Sequence, residues 1–164
     1  MNTSHVPGAQ QSAPQPWQGK LLFINGCFLV VAGSAAMRSE LRAYFFGKGP
    51  LAAAFYHSPY TIGFVEAHGL AILTGLQLLR ASRRRQKWFW HLSATLVHLL
   101  LGGSNLLFWR SFVHFHRKPV GIITTIMHGC FSVTHVLAFF SARSTPSSDA
   151  AVEKIRPALK GDVV

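Results

Sequence analysis

The sequence predicts an all-α integral membrane protein, a four-helix transmembrane bundle with disordered polar termini. Three observations carry this. Hydrophobic residues make up 49% of the 164-residue chain and charged residues only 13%. The apolar residues come in blocks near the length of about twenty that crosses a bilayer core, not at the spacing of a soluble amphipathic helix. The basic residues behind the net charge of +11 sit mostly between those blocks, where membrane proteins keep their orientation signal. No folded soluble portion is long enough to present a basic face, so nucleic acid is excluded as a partner and the lipid bilayer takes its place.

Each element follows in chain order. Residues 1–19 are polar, rich in Gln, Ser and Pro, and lack periodicity, which reads as a disordered tail. The helical domain is expected over 20–142. Its first block, 21–37, has small residues at its end that suggest a signal peptide. It is long for an h-region, though, and Lys20 alone supplies charge before it, so it reads as a retained helix. Residues 38–59 mix charges, aromatics, Gly and Pro, which predicts a short interfacial amphipathic helix. Ser58-Pro59 has the form of an N-cap and first helical residue. The second helix is expected over 60–79. A basic loop follows, with Arg80, Arg83, Arg84, Arg85 and Lys87. The third helix, 88–109, has aromatics at both ends, as interfacial belts require. The fourth, 120–140, starts after Pro119. Residues 143–164 form a second disordered, basic tail. The Lys and Arg distribution puts both termini and the basic loop on the cytoplasmic side of the cytoplasmic membrane. The two cysteines, Cys27 and Cys130, lie in apolar blocks outside any CxxC pair and read as small buried hydrophobes.

Chemistry is concentrated in histidines. His91 and His98 are seven residues apart, as are His128 and His135. Seven residues make almost two helical turns, about 700° of rotation and about 10.5 Å of rise. Each pair therefore shares one helix face, with Thr95 and Asn105 on the third helix and Thr125 and Ser132 on the fourth. Such polar stripes turn inward in lipid. On the second helix, Glu66 and His68 point about 200° apart. If the ends of each block mark the interfaces, His68 and His128 lie about 12 Å below the outer one and Glu66 about 9 Å below it. His98 falls near the midplane of a core about 30 Å thick. The expected sorting is an outer-to-middle set of Glu66, His68, His98 and His128, and an inner pair of His91 and His135. His57, His114 and His116 read as wet loop residues, because metal sites demand a specific constellation.

The architecture is similar to that of four-helix membrane cytochromes of the b type, a likeness of fold alone. It implies haem held by imidazoles from facing helices, His68 with His128 and a second site from His91 with His135. Two layers about 10 Å apart are tight for two macrocycles. One haem bound through His68, His98 and His128, or one iron, copper or zinc ion on Glu66, His68, His98 and His128, is the easier expectation, with redox chemistry as the function. Three alternatives stand beside it. One is a cofactor-free membrane enzyme acting on a hydrophobic substrate, with Glu66 as proton carrier. Another is a small proton-coupled transporter, for which four helices would need a homodimer or a membrane partner, and in which no inverted repeat is visible. The last is an accessory subunit without chemistry. Motifs for nucleotide binding, zinc hydrolysis and serine hydrolysis are absent from the sequence.

Overall fold

The computed structural model describes residues 16–84 and 87–143. They are all-helical: α1 (Pro16–Phe46), α2 (Ala52–Phe55), α3 (Thr61–Ala81), α4 (Trp88–Leu107), α5 (Trp109–His114) and α6 (Lys118–Arg143), with no strand among them. Three, α1, α3 and α6, are long and apolar enough to cross a membrane. α4 has the length, 20 residues, and carries His91 and His98 among its apolar side chains, but is not one of the three.

The bundle is two antiparallel helix pairs. α1 lies along α3, and α4 along α6. α1 joins the pairs, since its Leu22 and Leu29 enter one apolar core with Ala71, Leu78 and Ala81 of α3 and Ala94 of α4. Beyond a few buried Leu and Phe side chains the interior is small or polar, while many large apolar side chains such as Ile24, Leu70, Leu100, Leu107 and Ile123 point outward. A water-soluble bundle hides such residues; exposed apolar surface on this scale marks a surface made for an apolar medium or a partner.

Glycine sets the first pair. A Cβ on Gly19 would come within 2.9 Å of the Ser82 carbonyl oxygen, one on Gly26 within 2.8 Å of that of Gly75, and one on Gly33 within 3.0 Å of that of His68. Steps of seven on α1 thus meet steps of seven on α3, and backbone touches backbone, the device that lets helices associate closely in lipid.

Several expected boundaries move. α1 begins at Pro16 and runs to Phe46, so residues 16–19 and 38–46 are helical; the remaining expectation of a disordered tail, over 1–15, lies outside the described residues. The helix ends because Gly47, at φ +59°, turns left-handed and its N–H reaches the Ala43 carbonyl. What was expected as an interfacial helix is the four-residue α2. Ser58 is not the cap of α3. Tyr60 holds that position without a side-chain cap, while the Thr61 hydroxyl donates to the Phe55 carbonyl. The third block breaks at Phe108 into α4 and α5, and the fourth starts at Lys118 and ends at Arg143. Residues 144–164 lie outside the described residues.

Candidate functional site: a buried imidazole–amide chain

The second helix pair is held by rings where the first is held by glycines. His91 and His135 meet through their Nδ1 atoms at 2.9 Å, and so do His98 and His128, also at 2.9 Å. The seven-residue period is the cause. It keeps His91 and His98 on the α4 face that looks at α6, and His128 and His135 on the opposing face, so antiparallel packing brings them together pair by pair. Gly102 makes room for the His98–His128 pair, because a Cβ there would lie 3.2 Å from the His128 Cβ. Farther along, the Asn105 amide donates to the Thr124 hydroxyl at 3.0 Å.

Asn25 of α1 ties the two ring pairs together. Its Oδ1 accepts from His98 Nε2 at 2.9 Å, and its Nδ2 donates to His135 Nε2 at 2.7 Å. Asn25 and Gly26 are neighbours about 100° apart on the helix. α1 therefore gives its glycine edge to α3 and its amide edge to α4 and α6. Gln18, seven residues before Asn25, lies on the amide edge and donates to Ser141 at 3.4 Å. The result is one hydrogen-bonded chain of five side chains, His128–His98–Asn25–His135–His91, and of these His91, His98, His135 and Asn25 are 0% exposed. The rings are also layered: His98 stacks on Phe131 and on His135 at centroid distances of 4.8 and 6.2 Å. The chain ends at His91 Nε2, buried with no partner among the described residues. One turn before His91 stands Lys87, half-buried, whose burial holds its ammonium below the ordinary lysine value.

The expected outer set does not assemble. His98 and His128 come together, but Glu66 is exposed on the far side of α3. His68 lies in another layer, since α1 touches His98 through Asn25 and passes His68 at Gly33, eight residues and about 12 Å further along. His68 instead sits with its Nδ1 2.8 Å from Glu40 Oε1. That contact is one of proximity. The ring nitrogen is not aligned to donate, and Glu40 Oε2 is buried without a partner. The expected inner pair, His91 and His135, does assemble. His57, His114 and His116 are exposed, Cys27 is half-buried and Cys130 exposed. Two site residues had escaped the sequence reading. Asn25 was passed over as one polar residue in an apolar block, though its spacing of seven from Gln18 marks an edge. Glu40 falls in the 38–59 segment expected to lie along the interface, outside the first transmembrane block, whereas α1 continues through it to Phe46.

The residues present do not fit the expected haem or metal ion in this arrangement. Metal–imidazole bonds of about 2 Å set two nitrogens about 3.3 Å apart on a tetrahedral ion and about 4 Å apart across an iron. At 2.9 Å the facing nitrogens share a hydrogen and leave no gap for a macrocycle. The other nitrogens of His98 and His135 are engaged by Asn25. Among the described residues no group of three or more His, Cys, Asp or Glu side chains is placed to hold a metal ion. What the arrangement offers is proton chemistry, because imidazole is the side chain that accepts a proton on one nitrogen while releasing one from the other. No protein-family model, no curated protein and no solved structure matches the chain, so the site is read from its own geometry.

Proposed function

We propose that this is a small integral membrane protein whose interior imidazole–amide chain holds protons and relays them between levels of the bilayer. The observation that carries the reading is the continuous hydrogen-bonded sequence of five side chains, four of them fully buried and His128 half-buried. Ionisable groups within membrane spans are expensive to keep, and chains of them mark proton pathways. The four-span bundle belongs to this reading. α4 is paired with α6 at two levels seven residues apart, so if α6 crosses the bilayer α4 crosses with it. Its 20 residues, at about 1.5 Å each, reach about 30 Å. Four crossings return the chain to the side it started from. Arg80 at the end of α3 and the four basic residues between α3 and α4 support a cytoplasmic position for that side, and with it both termini.

The test is reconstitution. Full-length protein in vesicles under an imposed pH gradient, with a trapped pH dye, is expected to dissipate the gradient faster than protein-free vesicles. Replacing both His98 and His128 with Gln should return the rate to that of bare lipid while the protein stays helical and inserted. An unchanged rate would sink the relay reading and leave the chain as interhelical packing.

A further inference from the structure

Resting on the relay reading, we infer that Asn25 divides the chain into two proton-holding pairs, His98–His128 and His91–His135, and that the direction of its amide decides which pair is open to a proton. The argument is one of donors and acceptors. An amide side chain donates only from nitrogen and accepts only at oxygen, and a neutral imidazole carries one hydrogen on either nitrogen. Both rings that touch Asn25 do so through Nε2. One of those nitrogens must therefore carry hydrogen and the other must be bare.

The structure assigns the hydrogen to His98 Nε2, which faces Oδ1, and leaves His135 Nε2 bare before Nδ2. The rest follows. His98 Nδ1 is then bare and accepts from His128 Nδ1–H; His135 Nδ1–H donates to His91 Nδ1, so the His91 hydrogen sits on Nε2. Every bond points the same way, from His128 to His91. Turning the amide over would reverse all of them at once. In either direction His128 and His135 share one tautomer, and His98 and His91 share the other.

This polarity makes the two pairs unequal. His128 Nε2 is bare, so a proton can bind there. As it does, the hydrogen on His128 Nδ1 passes to His98 Nδ1, and His98 becomes the imidazolium with both nitrogens protonated. Transfer beyond His98 is slow, and it limits the relay. The next acceptor is the Asn25 oxygen, a far weaker base than imidazole, and the amide nitrogen releases a hydrogen only if the amide becomes an imidic acid. In the His91–His135 pair every nitrogen either bears hydrogen or accepts one, so that pair is closed. With the amide reversed, His91 Nε2 becomes the bare atom and His128 the closed end. Asn25 thus acts as a barrier within the chain and as a selector of the end from which it loads. The Asn25 side chain is 0% exposed and held on both sides, which makes its reversal an activated event.

Two measurements on the full chain in vesicles test this. In solid-state nitrogen NMR with labelled histidine, residue-assigned at pH 8, His128 and His135 should show one neutral tautomer and His98 and His91 the other. The same tautomer on His98 and His135 overturns the inference without touching the relay reading. In the flux assay, Asn25→Asp, close in shape, replaces the barrier with a carboxyl whose oxygens both exchange protons. Flux should rise about a hundredfold, within the span for a positioned proton-transfer group. If Asn25→Asp leaves flux unchanged while the His98 and His128 replacements abolish it, the chain relays protons but Asn25 does not divide it. If the histidine replacements have no effect either, the relay reading falls, and the division with it.

Discussion

The two helix pairs use the same period for opposite ends. In α1, positions seven apart are glycines, and it meets α3 backbone to backbone at Ser82, Gly75 and His68. In α4 and α6, positions seven apart are histidines, and the helices meet ring to ring. The first solution brings two backbones into contact and leaves no side chain on the α1 positions to titrate. The second lines the contact between the helices with rings and exchangeable hydrogens. A repeat of seven therefore fixes which residues face one another, and residue type decides whether the seam is structural or chemical. α1 takes part in both seams because Asn25 and Gly26 are adjacent.

The largest expected effect breaks the glycine seam. Gly26→Ile forces a branched side chain into space already filled by the Gly75 carbonyl oxygen and the Leu79 side chain. It should destabilise the bundle by about 3 kcal/mol, the upper part of the overpacking range, as measured by steric-trap or detergent unfolding. Stability within 0.5 kcal/mol of wild type, on the order of a surface change, would show that α1 and α3 are not this close. Next comes the histidine seam. His135→Leu strips partners from both Asn25 Nδ2 and His91 Nδ1, and a loss of about 2 kcal/mol is expected, together with loss of proton flux. A variant as stable as wild type would mean that the ring seam carries no structural weight. Glu40→Gln should cost less, about 1 kcal/mol or under, because the Glu40–His68 contact is poorly aligned. It should leave proton flux in place, and a flux lost with Glu40 would show that the working chain includes the first pair.

The smallest effects sharpen the contrast. Gly69 and Gly129 each follow a histidine, His68 and His128, and a Cβ at either position meets nothing within 4 Å. Gly69→Ala and Gly129→Ala should be neutral or stabilising by about 0.5 kcal/mol through helix propensity. Clear destabilisation of either would place a neighbour where the structure has none.

Much of this was legible from particular residues. Aromatics at Trp88 and the charge cluster after Leu79 placed the end of α3 and the start of α4 to within two residues, while the end of α1 lies nine residues beyond its expected bound. The spacing of His91 to His98 and of His128 to His135 gave the inward faces of α4 and α6, and both pairs do face each other. Depth was less legible. Counting rise from assumed interfaces put His68 level with His128, but interfaces are set by how helices of unequal length pack. α1 extends over 31 residues and pairs with α3 in a register that sets His68 beside Gly33. Glu66 was drawn into the site for being charged within an apolar block; its face is exposed.

By itself the sequence determined the helical class, the apolar spans, the seven-residue stripes and the histidine-rich character of the interior. Those follow from local chemistry: hydropathy over about twenty residues and the angle of about 100° between successive side chains on a helix. The tertiary structure decided the rest. It selected ring pairs at hydrogen-bond distance over a metal constellation, put Asn25 between them, and gave His68 to Glu40. The physical reason is that a helix fixes the angle and spacing of its own residues but not its height against a neighbour. Height is set by close contacts between helices, here glycine against glycine and ring against ring, and these exist only once the helices have packed.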